Sequence, residues 1–185
     1  MTGLFFALIA TIVSGVGARD QALVGQLSAQ QGARQSLLLV AWLSGILATV
    51  AAAWGGAQVA GLIGGSARLF LVALAVGLAG LEMIALAPRP APMEPTHSLG
   101  AFALVLFVMQ LTDAARFMVF ALAVLTRAPV SVAMGGAVGA MLVVVAGWSG
   151  LVRTGRPGLV RLRRVLGALL VLLALTLGVA VIAAR

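Results

Sequence analysis

Six apolar runs fill most of this 185-residue chain and leave it few ways to fold. They extend from Leu4 to Leu27, Ser36 to Val59, Leu69 to Leu86, Leu99 to Leu125, Val130 to Val152, and Val165 to Ala183. Each is close to the ~20 residues that a helix needs to cross the hydrocarbon core of a bilayer. The runs are continuous in polarity rather than alternating, which points to helices and not to the strands of a barrel. Composition agrees: 63% of residues are hydrophobic and 9% are charged, where a soluble domain carries about 25% charged residues. Too little polar surface is left to cover a water-soluble globule. The expected fold is an all-α integral membrane protein with six transmembrane helices and no sizeable soluble domain.

Most connections between the runs are short, as expected for antiparallel neighbours. The exception is "APRPAPMEPTHS", residues 87–98, where four prolines make a stiff non-helical connector. It separates residues 1–86 from residues 99–185, with three helices expected in each. The small residues of "SGVGA" after the first run resemble a signal-cleavage site. No basic residue precedes that run, however, so the first helix is expected to be retained.

All twelve basic residues are arginine, and the net charge is +8. In a soluble protein such a charge suggests nucleic acid. Here the arginines gather in the gaps between apolar runs, so nucleic acid is not an expected partner. The odd-numbered connections carry Arg34, Arg89, Arg153, Arg156, Arg161, Arg163 and Arg164, and the opposite side carries Arg68, Arg127 and Arg185. The positive-inside rule then puts the proline-rich linker in the cytoplasm and both termini outside. A multi-pass location in a bacterial-type inner or plasma membrane is expected, with lipid as the surrounding partner. The stretch "RTGRPGLVRLRR" reads as a topology anchor, or alternatively as a contact for anionic lipid. There is no cysteine, which excludes disulfides, thiolate metal sites and a cysteine nucleophile. His97 and Glu94 fall in the linker, and Glu82, late in the third run, reads as a solvated carboxylate near the interface.

The two halves resemble each other. "AAWGG" at 52–56 matches "AGWSG" at 146–150, an offset of 94, and Gly45 and Gly139 keep the same offset. Upstream, "LFFALIATIVSGVGARDQ" aligns with "AFALVLFVMQLTDAAR" at an offset of 95. Because each half has an odd number of helices, the second must enter the membrane in the opposite sense. This inverted repeat is a common plan of secondary transporters, with the substrate site near the midplane between corresponding helices. The polar clusters "SGVGARDQ" and "QLTDAAR" lie near that depth, where an ionisable residue costs ~2.5–3.5 kcal/mol and tends to face a partner or a cavity.

At these clusters the sequence resembles the Gdt-type calcium/manganese cation exchanger family, formerly uncharacterised protein family 0016. Members of that family have two three-helix halves, each with an E-x-G-D-[KR]-[ST] motif in its first helix. The stretch "ALAVLTRAPVSVAMGGAVGAMLVVVAGWSG" is similar to the segment just after the family's second motif. In the first motif, Gly15 and Ala18 stand where the family has Glu and Asp. Gly17 and Arg19 match, Asp20 takes the hydroxyl position, and Gln21 matches the Gln that usually comes next. In the second motif, Gln110 replaces Glu, Thr112 replaces Gly, Asp113 is retained, and Ala114, Ala115 and Arg116 come after it. The resemblance implies export of Mn²⁺ or Ca²⁺, with oxygen ligands drawn from Asp113, Gln110, Thr112, Asp20 and Gln21. No permanently bound cofactor is expected. Asp20 lies two residues beyond the family's Asp position, about 200° around a helix, so it could serve only if Gly15 and Gly17 allow local unwinding.

Arg19 and Arg116 are the candidate ion-pair or gating residues. Asp113 and Arg116 are three apart and share a helix face. They read either as a buried structural pair or as part of a transport site. Three functions fit these residues: a cation exporter or cation/proton exchanger, an exporter of a small anionic or zwitterionic solute, or a degenerate non-transporting membrane protein. An enzyme is not expected, because no helix carries paired carboxylates and no Ser/His arrangement exists.

Overall fold

The computed structural model describes residues 2–88, 98–152 and 155–184, and these contain helices and no strand. The helices are α1 (Thr2–Gly15), α2 (Arg19–Gln31), α3 (Gln35–Leu62), α4 (Gly65–Ala85), α5 (Leu99–Leu111), α6 (Ala114–Thr126), α7 (Pro129–Trp148) and α8 (Pro157–Ala183). Four of them, α3, α4, α7 and α8, are each long and apolar enough to cross a membrane. The pairs α1–α2 and α5–α6 each pass the same test together but bend by 63° and 54°. The chain is therefore an all-helical, multi-pass membrane protein with four to six candidate spans. Linker residues 89–97, including Glu94 and His97, lie outside the described residues, as do Arg153 and Arg185.

Two of the six expected runs are not continuous helices. The first breaks at Val16–Ala18, where Gly17 adopts φ +77°, a left-handed conformation open to glycine at little cost. The fourth breaks at Thr112 and Asp113, and the Asp113 side chain accepts the backbone N–H of Arg116 to cap α6. The last helix begins at Pro157 rather than Val165, so Arg161, Arg163 and Arg164 are helical and not in a loop.

Glycines set how closely the helices approach. A Cβ on Gly135 of α7 would collide with the Leu4 carbonyl of α1. One on Gly56 of α3 would sit 2.7 Å from the Phe120 carbonyl of α6. A Cβ on Gly80 of α4 would sit 2.5 Å from the Gly167 carbonyl of α8, and one on Gly167 would sit 2.7 Å from the Gly80 carbonyl. Such small-residue contacts suit helices that pack in lipid by van der Waals contact. The resulting neighbours are α4 with α8, α1 with α7, α3 with α5, α6 and α7, α6 with α4 and α1, and α2 with α7. Val24, Leu37, Leu106 and Val144 form one apolar core cluster, and Val119, Ala123 and Val132 belong to another. Large apolar side chains such as Phe5, Leu43, Leu47, Leu172 and Val179 point outward. In a bundle of this composition that is the face expected against acyl chains.

Candidate functional site

The two helix breaks face each other in the bundle interior. Asp20 lies in the first turn of α2 and Asp113 caps α6, so each carboxylate sits at the positive end of a half-helix. Both are buried, at 4% and 3% exposure. Gln110 joins them. Its side-chain amide donates to Asp20 Oδ2 at 3.3 Å, and its backbone carbonyl accepts the Asp113 N–H at 3.3 Å. Residues 90 positions apart in sequence thus meet through one side chain.

Asp113 is fully engaged with Arg116. Its Oδ1 accepts the Arg116 backbone N–H at 2.8 Å, and its Oδ2 accepts from Nη1 at 2.9 Å. Arg116 Nη2 donates onward to the Gly45 carbonyl of α3 at 3.4 Å. The i,i+3 pair read from the sequence is therefore formed and buried. Asp20 has no arginine partner among the described residues. Its Oδ1 accepts the Gln21 N–H at 2.7 Å.

The remaining sequence candidates divide. Gln21 is wholly buried, and its amide is occupied: Oε1 accepts the Gly17 N–H at 2.7 Å and Nε2 donates to the Val143 carbonyl of α7 at 2.8 Å. It holds the first break open and ties it to the other half. Thr112 is exposed, and its hydroxyl turns back to the Val108 and Met109 carbonyls of its own helix. The break brings Asp20, Gln21, Gln110, Asp113 and Arg116 together and leaves Thr112 on the outside. Arg19 does not join Asp20; it turns to α4.

There it meets a residue whose sequence context suggests a different setting. Glu82 is not solvated at the interface: it is 5% exposed and bound by two arginines. Arg19 Nε donates to Oε1 at 3.2 Å and Arg163 Nη2 to Oε2 at 2.5 Å. Arg163, expected among the topology-setting arginines, is 4% exposed, and its Nη1 donates to the Ser14 carbonyl at 2.7 Å. Pro157, a residue favoured in the first turn of a helix, is the signal that could have marked an earlier start for α8 and so put Arg163 six residues inside it. Its partner, 81 positions away, has no local signal.

Charge is nearly balanced across the two clusters. Three buried carboxylates (Asp20, Glu82, Asp113) face two buried arginines (Arg116, Arg163) and the partly buried Arg19. Several polar atoms in this region are buried without a hydrogen-bond partner: Gln110 Oε1, Thr11 Oγ1, Arg116 Nε, Arg163 Nε and Arg19 Nη2. Unsatisfied groups of this kind are costly in a native interior and mark places where a ligand or water can bind. Among the described residues no three His, Cys, Asp or Glu side chains cluster as a metal site. No family model, curated protein or solved structure matches the chain.

Proposed function

We propose that the chain is a secondary transporter made of two three-helix halves of opposite membrane orientation, and that it moves a small cation in exchange for protons where the two broken spans meet. The observation that carries this reading is the pair of breaks. α2 and α6 begin at residues 19 and 114, 95 positions apart, which is the offset of the sequence repeat. Broken backbone at membrane depth is tolerated where it is buried in protein or lines a cavity, and paired discontinuous helices form the substrate sites of many transporters. The helix neighbours support the same plan. Exchanging α1, α2 and α3 for α5, α6 and α7 turns the pairs α1–α7 and α2–α7 into α5–α3 and α6–α3, which are also in contact.

Within that site, Asp20 and Gln110 Oε1 are the oxygens open to a cation. Asp20 has no cationic partner among the described residues, and Gln110 Oε1 has no hydrogen bond. Asp113 becomes a ligand only when Arg116 releases it, so Arg116 would compete with the transported ion. By resemblance the ion is Mn²⁺ or Ca²⁺, for which carboxylate and carbonyl oxygens are suitable ligands. The positive-inside rule, applied to the arginine-rich connections, supports a cytoplasmic position for the linker end of the bundle.

The test is flux in proteoliposomes loaded with a pH dye. Mn²⁺ or Ca²⁺ uptake coupled to proton efflux, abolished by Asp20→Asn, is expected. Absence of metal-dependent flux in folded protein overturns the cation reading. A second reading rests on the unpartnered N–H groups of Arg19, Arg116 and Arg163, which suit a small anionic or zwitterionic solute. Metal-independent but anion-dependent flux would select it.

A further inference from the structure

The Arg19–Glu82–Arg163 cluster supplies no ligand to the cation site just described, yet it joins three helices at one break. Arg19 comes from α2, Glu82 from α4 and Arg163 from α8. Arg163 also donates to the Ser14 carbonyl at the end of α1 and lies 3.5 Å from that of Val16 within the break. A purely structural role is a weak explanation for two buried charges and a partly buried third. Desolvating them offsets most of their attraction, and apolar residues of similar size would pack as well.

The packing around the cluster suggests what it controls. α4 and α8 touch backbone to backbone at Gly80 and Gly167, so they behave as one two-helix unit. α8 packs extensively only on α4, and the unit meets the rest of the bundle mainly through α6. Its polar ties to the first broken span are the bonds made by Glu82 to Arg19 and by Arg163 to Ser14 and Val16. Glu82 lies three residues before the end of α4, about 4.5 Å along the axis. The cluster therefore lies toward the arginine-rich end of the bundle, and Arg19 joins it to the break at the residue next to Asp20. At that end a narrow crevice of about 10 Å³ is lined by Leu86, Ala87, Gly155 and Leu159 together with Arg163 and Gly17 of the break. That volume suits roughly one water molecule.

We infer that Arg19, Glu82 and Arg163 form an ion-pair latch that closes the path from the arginine-rich end to the polar site. The α4–α8 unit opens that path by swinging on its α6 contact when the latch parts. This inference rests on the transport reading for its purpose, but not for its test.

The natural sequence has no cysteine, so a single reporter can be introduced directly. Ser14→Cys is a near-isosteric change at a residue that is 3% exposed and whose carbonyl accepts from Arg163 of the latch. A charged, membrane-impermeant methanethiosulfonate should label it slowly in sealed vesicles when the latch is intact. Adding Glu82→Gln should raise the labelling rate at least tenfold, and only from the arginine-rich side. Arg19→Gln, which leaves Glu82 paired with Arg163, should raise it by a smaller factor, and it carries the test if Glu82→Gln does not fold. Val132→Cys, fully buried in a core cluster away from the latch, should stay unreactive in every background. Unchanged Ser14→Cys labelling in the folded variants overturns the latch, as does a rise matched at Val132→Cys. Labelling needs no substrate. A protein that transports but shows no change refutes only the latch, and one that shows the change without flux refutes only the transport reading.

Discussion

Asp113 combines two tasks that can be separated by substitution. One oxygen caps α6 and the other pairs with Arg116 at 2.9 Å. Both side chains are almost fully buried, at 4% and 3% exposure. At that distance two unit charges attract by about 6 kcal/mol for an effective dielectric constant near 20, much of which desolvation offsets. Removing one partner of such a pair strands the other charge and costs about 3–5 kcal/mol. Asp113→Asn keeps an oxygen for the cap, since Asn and Asp cap equally well, so its cost isolates the stranded Arg116. Asp113→Ala should cost about 1 kcal/mol more through the lost cap. The double variant Asp113→Asn/Arg116→Met has no stranded charge and should fall within about 1 kcal/mol of the native protein, or above it. Equilibrium unfolding in mixed micelles, followed by tryptophan fluorescence, measures all three. Trp42 and Trp148 both pack against a core cluster and report its loss. A double variant as unstable as Asp113→Asn refutes the reasoning, because the two charges would then not act as a unit. Flux through a stable double variant assigns the pair to packing alone; loss of flux assigns it to the transport site.

Gln110→Leu removes the side chain that bridges the two breaks and leaves Asp20 with the Gln21 N–H. Flux should fall at least tenfold, whereas Thr112→Val, which loses only bonds to its own helix, should transport normally; equal effects would misplace the site. Gly135→Ala drives a methyl group into the Leu4 carbonyl and should destabilise the protein by about 1–3 kcal/mol by separating α1 from α7. Gly55→Ala meets nothing within 4 Å and should stabilise α3 by about 0.5–1 kcal/mol. Thermal unfolding in detergent compares the two, and a reversed order would mean that the helices do not approach as described.

Interactions within one helix turn were legible in the sequence. Continuous hydropathy pointed to apolar helices, because a bilayer imposes length and composition on whatever crosses it. Spacing of three pointed to the Asp113–Arg116 pair, since residues three apart on a helix are neighbours. Gly15 and Gly17 marked where the first helix could unwind, and Gly17 adopts the left-handed conformation at the break. What the sequence left undecided were the partners across helices. Glu82 looked like an interface carboxylate, because its depth depends on where α4 meets α8, and the Gly80–Gly167 crossing sets that register. Arg163 looked like a loop arginine until α8 proved to start at Pro157. Whether Gln110 reaches Asp20 depends on two breaks facing each other across 90 residues. The sequence determined that charges would be buried in an apolar bundle, since so few lie where helices must cross. Beyond the Asp113–Arg116 pair, only the tertiary structure decided which charges meet. Each meeting needs a particular crossing of two helices, and a crossing is fixed by backbone contact between distant glycines that no local pattern records.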